Sequence, residues 1–149
     1  MAGLSIRASA GRQLHMLLSP ARSPYADSAL AFVRIVAGLV FISVGSTKVF
    51  GFPPIPMPVA LWSQLGIGGM MEVAGGALIV LGLFTRPTAF ILSGEMAVAY
   101  FQFHAPQSLY PTSNNGISAI LYCLFFFYLI FAGPGAWSVD SARAARRRS

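Results

Sequence analysis

Apolar and polar residues in this chain are sorted into long blocks and do not alternate along it. Four apolar stretches, Ala29–Phe50, about Gln64–Phe84, about Pro87–Phe103 and about Ile117–Ala132, are separated by short segments rich in proline, glycine and asparagine. Each comes near the roughly 17–25 residues that cross about 30 Å of hydrocarbon as a helix. A helix closes its own backbone hydrogen bonds, as lipid requires. The pattern predicts an all-α integral membrane protein, a four-transmembrane-helix bundle over residues 27–135. A basic arm (1–26) precedes the bundle and a basic tail (136–149) follows it.

The connections support these boundaries. Between the first two blocks stand Pro53, Pro54, Pro56 and Pro58, which exclude a helix and favour a stiff, extended segment. Trp62 then falls where amphipathic rings settle at the headgroup level. Asn114 and Asn115 are candidates to cap the fourth helix, and Gly133-Pro134-Gly135 closes it. Trp137 marks an interface.

Composition agrees. Hydrophobic residues make up 56% of the 149, and charged residues only 9%, too few for the surface of a soluble domain. The single cysteine, Cys123, allows no intrachain disulfide. His15 and His104 both lie outside the apolar blocks, which argues against a haem held across the bundle, and no metal-ligand cluster is evident. Arg7, Arg12 and Arg22 precede the first block without an acid among them, and Leu14–Leu18 is too short for the core of a signal peptide.

Basic residues set the expected topology. Arg86 lies in the second connection, and Arg143 with Arg146–Arg148 in the tail, whereas the third connection has no Lys or Arg. The Lys/Arg excess faces the cytoplasm, so both termini are expected there, which demands an even number of spans. The basic tail suits anionic lipid better than nucleic acid.

Four charges interrupt the apolar blocks: Arg34, Lys48, Glu72 and Glu95. A charge at membrane depth costs a few kcal/mol unless it is paired or lines a polar cavity. At 1.5 Å per residue from Asp27 and Arg86, Arg34 and Glu95 come to about 10 and 13 Å, Glu72 and Lys48 to about 21 and 31 Å. Side chains lean toward a helix's amino end, so Lys48 and Glu72 reach toward each other. The simplest pairing is Arg34–Glu95 with Lys48–Glu72; Arg34–Glu72 is the alternative if helices tilt. Arg34, Gly38, Phe41, Gly45 and Lys48 share one face, with glycines that admit a neighbouring backbone. Gly75 and Gly82 repeat the seven-residue spacing, and Gly75 and Gly76 thin the helix beside Glu72.

These residues carry a resemblance. Arg34-x3-Gly38-x2-Phe41-x3-Gly45-x2-Lys48, then Glu72-x2-Gly75-Gly76-x5-Gly82-Leu83-Phe84-Thr85-Arg86-Pro87, then Asn115-Gly116 and Gly133-Pro134-Gly135-x-Trp137-Ser138-x-Asp140 resemble the DoxX family over roughly residues 28–140. The resemblance implies a small four-helix protein of the bacterial plasma (inner) membrane. It also implies attention to Arg34, Lys48, Glu72, Gly75, Gly76 and Arg86. Some family members are described as membrane subunits of a thiosulfate:quinone oxidoreductase or of terminal-oxidase complexes. A mycobacterial member is described as the membrane partner of a superoxide dismutase and a sulfurtransferase.

Three functions are therefore in play. The first is the membrane subunit of a redox complex, quinone-linked or serving oxidative stress. Lys48 or Arg34 would bond a quinone carbonyl there, Glu72 or Glu95 would act as proton donor, and Met70, Met71, Tyr100 and Tyr122 are candidate lining. The second is a non-catalytic scaffold whose charges only set helix register, and the third a small transporter. No cofactor is expected to be intrinsic, a quinone being the candidate ligand. Beside the lipid bilayer, soluble redox proteins and a second copy of the chain are the candidate partners. No nucleophile–base arrangement supports a self-contained enzyme, so any enzymatic role would be that of an accessory subunit.

Overall fold

The computed structural model describes residues 25–54 and 59–147; the basic arm up to residue 24, prolines 56 and 58 and the end of the basic tail lie outside the described residues. Among the described residues every regular element is helical. Helix α1 spans Ala26–Val49, α2 Gln64–Leu81, α3 Thr85–Ala99, α4 Ile117–Ala132 and α5 Val139–Arg146. A π-helical turn, Tyr100–His104, prolongs α3. Helices α1 and α2 are long and apolar enough to cross a membrane, and α4 is a shorter apolar helix.

Local signals explain the limits. Ser63 starts α2 by accepting a hydrogen bond from the Gly66 amide at 3.1 Å. Gly82 ends it at φ 63°, its amide bonded to the Ile79 carbonyl and that of Leu83 to Leu78. Gly133, at φ 79°, ends α4 as expected. The asparagines behave differently from the expected cap. Asn114 is buried and holds the Gly116 amide at 2.7 Å, so it shapes the loop, and Gly116 takes the N-cap position.

Helix α1 packs against α2 and α3 against α4. Between the pairs lies a core of Phe41, Ile79, Ala89, Leu92, Met96, Phe126 and Leu129. Phe41 meets Phe126 edge-on with centroids 5.0 Å apart. The outward faces stay apolar, with Phe32, Leu39, Phe90, Leu124 and Phe131 all exposed, as expected of helices whose solvent is lipid.

The α1–α2 contact sets the height of every charge. A methyl group built on Gly45 would lie 2.7 Å from the Gly69 carbonyl oxygen, and one on Gly38 3.0 Å from that of Gly76. Backbone meets backbone here, the mode of packing available where lipid supplies no hydrophobic drive. The partners of Gly38 and Gly45 are thus Gly76 and Gly69. Gly75 instead accommodates Leu92 of α3, and Gly82 turns toward Ser138 and Arg34.

The start of α1, the start of α5 and the Gly82–Thr85 turn share one end of the bundle, called here the terminal end; the described residues that follow α1 and those that follow His104 lie at the other, the distal end. Gly45→Ala is expected to lower the thermal midpoint in detergent, at a cost of about 1–3 kcal/mol. Gly94, with nothing within 4 Å of a built methyl group, is the control. Gly94→Ala should be neutral or stabilising by about 0.5–1 kcal/mol.

Candidate functional site

The four membrane-depth charges separate into two places. Arg34 is 0% exposed at the terminal end. Its Nη1 donates to the carbonyls of Ile79 and Val80, the latter at 2.7 Å, and its Nε donates to Pro134 O at 2.8 Å. Nη2 donates to Trp137 O at 3.0 Å and, more weakly, to Ala136 O at 3.5 Å. The last carbonyls of an α-helix lack the donors of a following turn, so beyond the bonds that Gly82 and Leu83 supply a cation suits this end of the α2 dipole. Arg34 therefore joins α1, the end of α2 and the 133–137 strap through one rigid fork of donors.

Asp140 completes this clasp. Its carboxylate accepts the Phe84 amide at 3.0 Å, the Thr85 amide at 2.9 Å and the Thr85 hydroxyl at 2.9 Å. It thereby caps α3 from another helix, where Phe84, at φ 49°, has no side-chain cap to offer. Burial pushes the Asp140 carboxyl up. The bonds from Thr85 and Phe84, with Arg143 nearby, outweigh that and hold it below the ordinary carboxylate range. Trp137 also sits at φ 49°. Non-glycine residues resist that conformation, at about 1–3 kcal/mol each. The backbone groups of both strained residues are gripped by Asp140 and Arg34.

The second place is a cavity in the distal half. Lys48 Nζ lies 2.6 and 2.7 Å from the two carboxylate oxygens of Glu72, so this pair forms as expected. Glu72 is 2% exposed and the Lys48 side chain 19%. Glu95 joins them with its Oε2 buried and, among the described residues, without a hydrogen-bond partner. Gly68 leaves it room, since a methyl group there would lie 3.3 Å from Glu95 Oε1.

These three charges line a cavity of about 330 Å³, with walls from Leu65, Met96, Val98 and Phe103. A second space of about 140 Å³ shares Lys48, Glu72, Met96 and His104 and adds Phe41 and Tyr122. Met96 also borders an apolar groove of about 260 Å³ between α3 and α4. At the distal rim Gln64 Nε2 donates to Gln102 Oε1, and His104 Nδ1 lies 2.9 Å from the Asn114 carbonyl oxygen. One lysine thus faces two carboxyl groups in this largely apolar cavity, with His104 at its rim.

Comparison with known proteins settles the family. The DoxX family model matches residues 29–105, more than half the chain. An uncharacterized protein of Haemophilus influenzae is 43% identical over 119 residues, covering 75% of this chain and 88% of that one. The chain belongs to the DoxX family. Two inner membrane proteins of Escherichia coli are also similar. YphA is 32% identical, covering 74% of this chain and 87% of its own, and YqjF is 29% identical, covering 76% and 91%. No solved structure matches. This DoxX protein is thus a membrane protein among inner-membrane relatives.

The expected Arg34–Glu95 pair does not form, and Arg34 does not pair with Glu72 either. In the α1–α2 register Arg34 stands opposite Val80, beside the turn. Glu72 and Glu95 stand equally far from that turn, about 15 Å at 1.5 Å per residue. Heights counted from Asp27 and Arg86 missed this, because each helix has its own base. Met96, His104, Gln64 and Asp140 are site residues that hydrophobic patterning does not reveal. The equal spacing of Glu72 and Glu95 about the Gly82–Thr85 turn was the available signal for the cluster.

Arg34→Lys is expected to cost about 2–4 kcal/mol in detergent thermal unfolding, since one ammonium cannot span carbonyls on both sides. Asp140→Asn should cost about 1–2 kcal/mol at pH 7. A lowered folded pKa stabilises above the unfolded value of about 3.9, and the effect is lost as pH falls through the folded value. The gap between wild type and Asp140→Asn should therefore narrow below about pH 4, as thermal midpoints across a pH series would show.

Proposed function

We propose that this protein is the membrane subunit of a redox assembly, and that its distal cavity receives the headgroup of a lipid-soluble quinone. In this arrangement α1 to α4 each cross the bilayer, α3 with its π-helical extension. The terminal end then faces the cytoplasm, in keeping with Arg86, Arg143, Arg146 and Arg147 on segments at that end. Soluble redox partners dock at this basic end, and the ligand enters from the acyl-chain region.

The observation that carries the proposal is the buried, unpartnered Glu95 Oε2 in a cavity with apolar walls. Ligand sites are mostly apolar spaces with a few placed polar groups, and burying a polar atom without a partner is costly. Met96 places an apolar groove next to the polar space, which suits a ring bearing a hydrocarbon tail.

A decyl-substituted benzoquinone is expected to bind saturably to the protein in nanodiscs, measured by equilibrium dialysis. Lys48→Met, which removes the cavity's cationic donor, should weaken it about tenfold or more. Absence of saturable binding by the wild type would overturn the proposal.

The two-pronged Lys48–Glu72 contact favours a second reading, a scaffold in which the ion pair only locks α1 to α2. Exchanging the pair, Lys48→Glu with Glu72→Lys, separates the two. A pure lock regains its thermal midpoint and its cellular role together. A ligand site regains the midpoint while binding stays lost.

A further inference from the structure

The hydrogen-bonding groups around the cavity are unequal in kind. Two of the three Lys48 ammonium hydrogens are directed at Glu72, and a Gln64 amide hydrogen goes to Gln102. A carbonyl oxygen can only accept, so His104 Nδ1 carries its proton toward Asn114. In the neutral ring this leaves Nε2 as a lone-pair acceptor on a side chain that lines both spaces. Glu95 offers two carboxyl oxygens, one buried and without a hydrogen-bond partner among the described residues. In the larger space one Lys48 hydrogen and one Gln64 amide hydrogen stay open, against both Glu95 oxygens and His104 Nε2, so among these groups open acceptors outnumber open donors.

An acceptor-rich cavity, with two carboxyl groups to one lysine, selects a ligand that brings hydrogens, not lone pairs. A quinone ring presents carbonyl oxygens, which are acceptors, to Glu95 and His104. Its reduced form presents two hydroxyl groups, which are donors. We infer that the cavity prefers the dihydroxy, reduced form of the carrier, with one hydroxyl donating to Glu95 Oε2 and His104 Nε2 available to the other. The inference rests on the quinone reading of the pocket and adds a direction to it. Tighter binding of the reduced form raises the midpoint potential of the bound couple above that of the free one.

The probes are a decyl benzoquinone, its hydroquinone, and a decylammonium salt as competitor, used with the full-length protein in nanodiscs without oxygen. The hydroquinone should bind about tenfold tighter or better, as expected for one added hydrogen bond. For a two-electron couple that ratio raises the midpoint of the bound pair by about 30 mV. Glu95→Gln, which keeps shape but adds a donor, should bring the ratio near one while quinone binding survives.

Equal or tighter binding of the oxidised form overturns the preference and leaves the quinone site standing. Failure of both forms to bind overturns the site and the preference together. Displacement of both by decylammonium at lower concentration makes the natural headgroup an amine, and again removes both. Should Glu95→Gln fail to fold, the wild-type ratio alone decides.

Discussion

A buried guanidinium group whose hydrogen bonds, among the described residues, all go to backbone carbonyls organises one end of this molecule. Arg34 finds its counter-charge in the partial charges of carbonyl oxygens, two from the last turn of α2 and others from the strap after α4. A helix carboxyl end is short of donors and carries negative potential, so a fork of donors satisfies several oxygens with one side chain. Because those oxygens belong to different elements, the bond set fixes where α1, α2 and the strap lie. Asp140 mirrors this on the neighbouring amino end of α3. Together they oppose the dipoles of two successive helices with charges of the right sign, and they hold Phe84 and Trp137 in conformations neither would choose.

Fixing the terminal end has consequences at the other. Once the α2–α3 turn is held and the glycine contacts set the α1–α2 register, Lys48, Glu72 and Glu95 have no freedom to avoid one another. Lys48 lies past the Gly45–Gly69 contact, leans back, and meets Glu72 leaning up. Glu95 arrives at the same height from α3, where Gly68 leaves it space. The clasp is saturated: each polar group of Arg34 and Asp140 has partners in the protein. The distal cluster is not, since Glu95 Oε2 has none. That contrast sets Glu95 apart from the charges that the fold itself satisfies, and burial alone does not reveal it.

The span that matches the family model cuts across the division. The matched span, residues 29–105, contains the whole distal cluster and Arg34, while Asp140 and the strap lie beyond it. The inner-membrane relatives agree with the apolar outer faces of α1 to α4.

Block-wise hydropathy determined the all-helical architecture and the approximate limits of the long helices, because the hydrophobic requirement acts on each segment separately. Helical spacing likewise placed Arg34, Gly38, Phe41, Gly45 and Lys48 on one face, and the lean of side chains brought Lys48 to Glu72. Other outcomes depended on where separate helices sit relative to one another, which spacing along one chain segment cannot encode. Tertiary packing decided that Gly69 and not Gly82 meets Gly45, and that Arg34 binds carbonyls instead of Glu95. It also made a helix within the basic tail carry the cap for α3. A hydrogen bond forms between atoms a few ångströms apart, and only the packed arrangement of all the helices determines which atoms those are.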